Sequence, residues 1–200
     1  VFRSRAFFQF GNGSNWAPES KLYLSGSNLE NMMNNKFTRS KGFINSEYLG
    51  YGESINHFHH SGGLNLRGYS GYLAPEYDDD GNFDFFGYNG TSGGSINLEV
   101  DFTSLIPRSI NTIGIKPYIF ADAGIITNKE LSRENFIDTF SEIRADAGIG
   151  FFINVSKWTP LETVNPLTVR LDFPLFLNRP PANDNDYFMF RWLFGISKLF

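Results

Sequence analysis

An arginine set among glycines is the residue whose chemistry most needs an explanation in this sequence. In the stretch GGLNLRGYSGYLAPE, residues 62–76, Arg67 follows Gly62 and Gly63 and has few other charges near it. A guanidinium offers a planar fork of donors that matches a carboxylate, and it is enclosed at tolerable cost only when it is paired. We therefore predict that Arg67 forms an ion pair that fixes a loop. The alternative is an ordinary solvated arginine.

Two other clusters contain residue types that bind metals. DDDGNFD contains Asp78, Asp80 and Asp84 and resembles half of a calcium loop, but it lacks the downstream glutamate of the full motif. HFHH, residues 57–60, contains the three histidines of the chain. For both clusters the sequence favours a solvated loop over a metal site, so no metal and no cofactor is predicted.

The sequence contains no familiar catalytic motif. It has no serine nucleophile elbow, no phosphate-binding loop and no His-Glu-x-x-His helix. Its acidic residues are predicted to pair with Arg67, Arg144 and Arg170 rather than to act as acids and bases. We therefore expect no enzymatic activity from these residues, and any catalytic domain would lie upstream of them.

The composition excludes several classes of protein. The chain has 22 Phe and 20 Gly among 200 residues, with a mean hydropathy of −0.26, and no apolar run approaches the roughly 20 residues of a membrane-spanning helix. A net charge of −4 without a basic cluster argues against nucleic acid as a partner. The absence of cysteine excludes disulfides and thiolate metal sites. The opening VFRSRAFFQF predicts a processed product or a fragment.

Alternation of apolar and polar residues predicts strands over the second half of the chain. In SINLEVDF, Ile96 and Leu98 share one face while Asn97 and Glu99 share the other. Four more stretches follow the same rule: GIKPYIFADAGII, RADAGIGFFINV, LTVRLDFPLF and residues 187–200. FRSRAFFQF and ESKLYLSG add strands near the start, and Gly-, Asn- and Ser-rich sequence predicts a long loop over residues 27–92. Seven or eight strands are predicted in all.

Two architectures fit these strands, and they assign the faces oppositely. A soluble sandwich turns its apolar face inward, whereas a membrane barrel turns it outward to lipid. Long strands, charges of both signs on the polar faces and aromatic residues at strand ends favour the barrel. We predict an all-β, antiparallel transmembrane β-barrel over residues 1–200, with five strands in 93–200. Because about eight strands is the minimum for closure, the chain is expected to be the C-terminal part of a barrel of roughly 16 strands. Missing N-terminal strands or a second chain would complete it.

The loop and the strands after it resemble the outer-membrane assembly superfamily, which includes the BAM-type insertases, the bacterial surface antigen proteins and their two-partner-secretion relatives. LRGY resembles the Arg-Gly-Tyr/Phe signature of a long loop that precedes the last five strands, and five predicted strands follow it here. GGSINLE resembles the family's Gly-Gly and inward glutamate, and ADAG resembles its Asp-x-Gly. RADAGIG and LDFP follow in the family's order. The resemblance covers residues 62–200.

The resemblance implies that this loop folds back into the barrel lumen, where its arginine meets acidic residues of neighbouring strands. Glu99 and Asp122 lie on the polar faces of their strands by parity. Together these residues form the predicted latch: Arg67, Gly68, Tyr69, Glu99 and Asp122. The loop glycines Gly62 and Gly63 would permit close approach of the backbone.

The end of the chain, FGISKLF, resembles the C-terminal targeting signal that assembly machinery reads on bacterial outer-membrane barrels. The residues that carry this resemblance are Trp192, Phe194, Gly195, Ile196 and Phe200. The resemblance implies the outer membrane of a Gram-negative bacterium as the location. It also implies outer-membrane lipid, lipopolysaccharide and the assembly machinery as partners.

Three functions are compatible with such a barrel. The first is insertion or translocation of other proteins, as in the assembly superfamily. The second is anchoring of a larger protein, because NWAPESKLYLSGSNLENMMNNKFTRS is similar to the barrel-like tail after zinc-aminopeptidase-type domains of Bacteroidota. The third is a passive pore, which is disfavoured because a folded-in loop obstructs the lumen.

Overall fold

The protein is all-β, and its main element is an antiparallel sheet. The computed structural model describes residues 1–11, 21–26, 63–70, 72, 74–77, 80–103, 113–127, 140–155, 167–180 and 186–196. Within these residues it contains ten strands and one turn of 3-10 helix at Arg67–Tyr69. No helix in this part of the chain is long and apolar enough to span a membrane.

The ten strands form one large sheet and two short pairs. In chain order they are β1 Phe2–Gln9, β2 Leu22–Tyr23, β3 Pro75–Tyr77, β4 Phe83–Phe86, β5 Asn89–Gly90, β6 Ser92–Asp101, β7 Ile113–Thr127, β8 Arg144–Val155, β9 Leu167–Leu177 and β10 Leu193–Ile196. The large sheet has six strands in the order β1-β6-β7-β8-β9-β10, and all neighbours are antiparallel. The short pairs are β2 with β5 and β3 with β4.

The strand register lines up a row of polar residues across the sheet. Arg5 of β1 lies opposite Asn97 of β6, and Asn97 lies opposite Asp122 of β7. Asp122 in turn lies opposite Asp146 of β8. Since directly opposite residues in a ladder point to the same face, these four side chains are neighbours on one surface of the sheet.

The sheet buries its polar face and exposes its apolar face. The alternation predicted from the sequence is present along the strands, so each strand contributes to both faces. Buried polar side chains of the sheet include Asn97, Glu99, Asp101, Asp122, Arg144, Asp146, Arg170 and Asp172. Exposed apolar side chains include Phe2, Phe8, Ile96, Ile115, Ile119 and Ile149. This distribution is the reverse of that in a soluble sandwich.

A compact apolar cluster lies where residues 63–70, 72 and 74 pack against the polar face of the sheet. Most of its members come from that segment and from residues around β2, and two come from the ends of β7 and β9. The cluster consists of Leu22, Leu24, Leu64, Leu66, Tyr69, Tyr72, Ala74, Ile126 and Leu177. The segment therefore supplies the apolar cover for one end of an otherwise charged surface.

The structure differs from the sequence-based expectation in three respects. Within the described residues the sheet is open, with β1 and β10 as its edges, and it is not closed into a barrel. The loop expected over residues 27–92 contains β3, β4, β5 and the 3-10 turn. The last strand was expected from Tyr187, but the regular ladder of β10 begins at Leu193.

The late start of β10 has a local cause. Upstream of it, the chain bonds irregularly to β9, with Leu177 N–H donating to the Tyr187 carbonyl at 2.9 Å. The Arg191 guanidinium turns back and donates from Nη2 to the carbonyl of Asp186 at 2.9 Å. These contacts hold the segment beside β9 without a continuous ladder until Leu193.

Candidate functional site

The candidate site lies where residues 63–70 rest on the polar face of the sheet. Leu66 N–H donates to the carbonyl of Leu24 at 3.0 Å, which fixes the segment alongside the residues around β2. Gly63 has φ +52°, and a Cβ there would lie 2.5 Å from the Gly26 carbonyl oxygen. Because the conformation is left-handed and the space is closed, position 63 requires glycine.

Arg67 is fully buried and is bonded to carboxylates on two adjacent strands. Its Nε and Nη2 donate to the two oxygens of Asp122 at 2.6 and 2.8 Å, which makes a bidentate pair. Its Nη1 donates to Glu99 Oε1 at 2.8 Å. The structure thus brings together the arginine and the two carboxylates that the sequence places on the polar faces of β6 and β7.

Two further groups complete the surroundings of this guanidinium. Its Cζ lies 3.8 Å from the centre of the Phe120 ring, in the geometry of a cation–π contact. Its Nη1 lies 3.9 Å from Asp172 Oδ1 on β9. Burial by itself lowers the pKa of Arg67, but attraction by Asp122, with which it is hydrogen-bonded, and by Asp172 and Glu99 raises that pKa well above its ordinary value. Arg67 is therefore a permanent cation in this site.

Asn97 connects the loop backbone to the same carboxylate. Its Nδ2 donates to the carbonyls of Leu64 and Asn65 at 3.2 and 3.1 Å and to Asp122 Oδ1 at 3.0 Å. Its Oδ1 accepts from Arg5 Nη1 at 2.9 Å. One amide side chain therefore orients Asp122 and satisfies the carbonyls of two buried loop residues. We call Arg67, Glu99, Asp122, Asp172, Asn97 and Phe120 the Arg67 network.

Gly68 allows the 3-10 turn to sit directly on the sheet. A Cβ at this position would lie 2.7 Å from Asp146 Cβ and would also collide with the side chain of Leu177. Asp146 is buried, and its two carboxylate oxygens have no hydrogen-bond partner among the described residues. Position 68 therefore requires glycine, because any side chain there would push the 3-10 turn away from β8 and β9.

Tyr69 attaches the other end of the turn. Its hydroxyl donates to Asn178 Oδ1 at 2.7 Å and accepts from the backbone N–H of Arg179 at 3.3 Å. The Cζ of Arg144 lies 5.5 Å from the centre of its ring. Burial raises the pKa of the Tyr69 phenol well above its usual range, so the hydroxyl keeps its proton. The 3-10 turn is therefore fixed at both Arg67 and Tyr69.

Arg170 forms a second buried ion pair on the same face. Its Nε lies 2.5 Å from Asp172 Oδ2, and its Nη2 lies 3.9 Å from Glu99 Oε1. The angles do not suit hydrogen bonds, and its three nitrogens have no hydrogen-bond partner within the described residues. The Tyr118 hydroxyl donates to Asp172 Oδ1. Asp172 is therefore shared by Arg67, Arg170 and Tyr118.

Glu76 is the centre of a separate cluster at the base of the β3–β4 hairpin. Its Oε1 accepts from Arg144 Nε at 3.1 Å and also from Arg144 Nη2. Its Oε2 accepts from Arg179 Nη1 at 2.9 Å. Arg144 Nη2 also donates to the carbonyl of Pro75 at 3.3 Å. This cluster fixes the hairpin to the ends of β8 and β9.

No family model, curated protein or solved structure matches this chain. What the site does is therefore inferred from its own contacts. Through the Arg67 network, a loop is joined to β6, β7 and β9 by charges that are removed from solvent. Buried networks of hydrogen-bonded charges hold a backbone segment in one place.

The other predicted site residues lie apart from this network. Asp80 and Asp84 are exposed on the β3–β4 hairpin, and within the described ranges no group of three His, Asp or Glu is placed to bind a metal ion. Of the predicted targeting signal, Trp192 is exposed, Phe194 is half-buried and Gly195 is buried. The backbone of Ile196 belongs to β10. The predictions that fall outside the described residues are those for Gly62, Asp78, Phe200 and the histidines of 57–60.

Sequence reasoning did not identify several members of the network. Parity already placed Asn97 and Asp172 on polar faces, and Phe120 has the same parity as Asp122. Strand register decides which of these side chains contacts Arg67. Register cannot be predicted from one sequence alone. Glu76 was missed because its surroundings were assigned to a loop.

Proposed function

We propose that this chain forms part of a transmembrane β-barrel of a bacterial outer membrane, and that the barrel inserts or translocates other proteins. The observation that carries the proposal is that the polar face of the sheet is buried and its apolar face is exposed. Ion pairs such as Arg67–Asp122 lie on the buried face, while Ile96, Ile119 and Ile149 lie on the exposed face. A membrane barrel has this arrangement, with polar residues toward the lumen and apolar residues toward lipid.

The lengths of the strands support the same conclusion. β7, β8 and β9 have 15, 12 and 11 residues. A tilted strand needs about 9–11 residues to cross a bilayer, whereas strands of soluble proteins centre on about 5–6. Three adjacent strands are therefore long enough to cross. β7 and β8 expose apolar side chains such as Ile119 and Ile149 on one face, and the apolar side chains described on the same face of β9 are half-buried.

The Arg67 network supports a loop held on the lumen side of the sheet. The loop residues 63–70 are buried against the polar face, and Arg67 bonds carboxylates of two strands there. A loop fixed in this position would narrow the passage through a barrel. This disfavours the passive pore.

The pairing of β10 favours an assembly role. Within the described residues, β10 pairs with β9 over four residues, whereas β8 pairs with β9 over ten. A strand with few ladder bonds separates more easily than a fully paired one, and this suits a barrel that opens beside such a strand to receive a client strand. Translocation or insertion of proteins is therefore the first candidate.

Anchoring of a larger protein is the second candidate, and the full pairing of the Arg67 guanidinium favours it. Every guanidinium nitrogen of Arg67 donates to a carboxylate oxygen. A loop held this tightly needs no movement to do its work. A barrel that only anchors another domain in the membrane does not have to open, so a rigidly held loop suits this role.

The membrane location is tested with two matched substitutions. Ile149→Lys places a charge on the exposed face in the middle of β8, and Ile143→Lys places the same charge just before that strand. In lipid vesicles Ile149→Lys is expected to lower the free energy of unfolding by about 2–4 kcal/mol, and Ile143→Lys by about 1 kcal/mol or less. A chain that dissolves without detergent and tolerates Ile149→Lys would refute the membrane proposal.

The assembly role is tested in the same vesicles. An unrelated eight-stranded barrel is diluted from urea into vesicles with or without the full chain, and its folding is followed by the gel shift of the folded form. We expect faster folding in the presence of the chain. If the rate equals that in empty vesicles while the chain itself is stably inserted, the assembly role is wrong and the anchoring role stands.

A further inference from the structure

The β3–β4 hairpin carries aromatic residues that belong to neither the large sheet nor the Arg67 network. Tyr77, Phe83 and Phe86 are 53, 52 and 41% exposed. The ring centres of Tyr77 and Phe83 are 6.4 Å apart, and those of Phe83 and Phe86 are 4.7 Å apart. Three aromatic rings that contact one another and remain in solvent form a patch of the kind that marks an interaction site.

This patch is held by its attachment to the sheet. Glu76, between the exposed strand positions, is buried and bonded to Arg144 and Arg179. At the same base of the hairpin, Gly87 N–H donates to the Ala74 carbonyl at 2.7 Å. A partner would therefore meet aromatic groups that are already ordered, which reduces the entropy lost on binding.

The exposed charged side chains that the structure describes on this hairpin are acidic. They are Asp80 and Asp84. No lysine or arginine occurs in the sequence between Arg67 and Arg108, and the arginines that reach the hairpin base are bonded to Glu76. The faces of aromatic rings also carry a negative partial charge. Carboxylates and ring faces thus select the same class of ligand, which is a cation with an apolar stem.

We propose that this hairpin surface, formed by Tyr77, Asp80, Phe83, Asp84 and Phe86, binds a lysine- or arginine-rich segment of a partner protein. Cationic side chains of the segment lie over the rings and against the two carboxylates, while their methylene stems cover the apolar patch. A membrane surface is the poorer occupant, because anionic headgroups would be repelled by the aspartates.

The first test uses the unmodified full chain in micelles of an uncharged detergent. A fluorescein-labelled peptide of alternating lysine and leucine is titrated at low salt, and its anisotropy is compared with that of a peptide in which glutamate replaces every lysine. The lysine peptide is expected to bind and the glutamate peptide is not. Equal binding of the two peptides, or binding of neither, would overturn the proposal.

The second test assigns that binding to the hairpin. Asp80→Asn combined with Asp84→Asn is expected to weaken binding of the lysine peptide about three- to tenfold, because exposed charges attract one another only weakly through water. Phe83→Leu keeps an apolar side chain but removes the ring face, and is expected to weaken binding about two- to fivefold. Asp186→Asn and Phe8→Leu, which change exposed residues elsewhere, are the matched controls.

Two outcomes of the second test count against the proposal. If the hairpin variants and the controls bind the peptide equally, the peptide binds elsewhere. If the hairpin variants instead lose binding to vesicles of phosphatidylcholine, the surface contacts lipid rather than a basic protein. Neither result depends on whether the large sheet lies in a membrane, because the hairpin is a separate pair of strands.

Discussion

Two buried ion clusters hold residues 63–70 and 74–77 on the sheet: one has a central cation with several carboxylates, and the other has a central carboxylate with two arginines. At Arg67 one buried cation is shared by Glu99, Asp122 and, at longer range, Asp172. At the base of the hairpin one buried anion, Glu76, is shared by Arg144 and Arg179. The side chain of Arg179, the outer arginine, is 28% exposed. The comparison shows that water can replace a lost partner at the hairpin cluster but not at Arg67. Carboxylates deprived of Arg67 are all buried, whereas part of the hairpin cluster can be hydrated in place.

The largest effect is expected at Arg67. Arg67→Ala leaves Glu99 and Asp122 buried without their cation, so the free energy of unfolding is expected to fall by about 3–5 kcal/mol. Urea unfolding in detergent micelles measures this change. Arg67→Lys is the matched control: it keeps the charge but cannot bond two oxygens at once, so an intermediate loss is expected. A loss below about 1 kcal/mol for Arg67→Ala would place this pair with ordinary surface pairs.

The reciprocal change at the hairpin is Glu76→Gln, and a smaller effect is expected there. The buried Arg144 loses its anion, which costs about 1.5–3 kcal/mol, while Arg179 turns toward solvent. Chymotrypsin cleavage after Tyr77 and Phe83, followed by mass spectrometry, should accelerate as the hairpin loosens. Glu142→Gln is the control, since that side chain is 76% exposed and bonds the same outer arginine. Equal cleavage of both variants would show that Glu76 does not fix the hairpin.

Close packing, as distinct from charge, is tested at Gly68. Gly68→Ala introduces a methyl group against Asp146 and Leu177 and is expected to destabilise by about 1–3 kcal/mol. Gly114→Ala is the comparison, because a Cβ at that position meets nothing within 4 Å. Thermal unfolding of the two variants gives the difference. If Gly68→Ala is as stable as Gly114→Ala, the turn does not need to lie close to β8.

The smallest effect is expected at the outer arginine. Arg179→Ala removes a partly exposed partner and is expected to cost about 1 kcal/mol or less, and high salt should abolish that cost. The cost of Arg67→Ala should persist at high salt, because its ion pairs are buried. Urea unfolding at low and high salt checks both statements. The distinction between a buried and an exposed ion pair would be wrong if the cost of Arg67→Ala fell at high salt or the cost of Arg179→Ala did not.

The sequence was sufficient to predict the strands of the large sheet and the faces of Glu99 and Asp122, but not β3, β4 and β5. Side-chain parity is a local property of a strand, so it can be read without knowing what the strand pairs with. The Arg-Gly-Tyr stretch, in turn, indicated a loop that needs carboxylates. These two local signals were enough to name three of the residues that the structure brings together at Arg67.

The remaining contacts depend on pairing between distant parts of the chain. Asp172 approaches Arg67 because β9 follows β8 in the sheet, and no local pattern specifies that placement. The role of Glu76 was not predicted for a different reason, because the aspartates after it resemble half of a calcium loop. Read instead as PEY and FDFF on either side of a turn, the same stretch has the signal of a hairpin.

The spacing of the Arg67 contacts along the chain also sets an order of events during folding. Glu99 and Asp122 follow Arg67 by 32 and 55 residues, so the loop docks only after two distant segments of the chain have been brought beside it. Until β6 and β7 have paired, the guanidinium has only water as a partner, and closing such long intervals costs chain entropy before any bond forms. Loop docking is therefore a late step that reports a completed sheet, and its rate can be followed separately from strand formation.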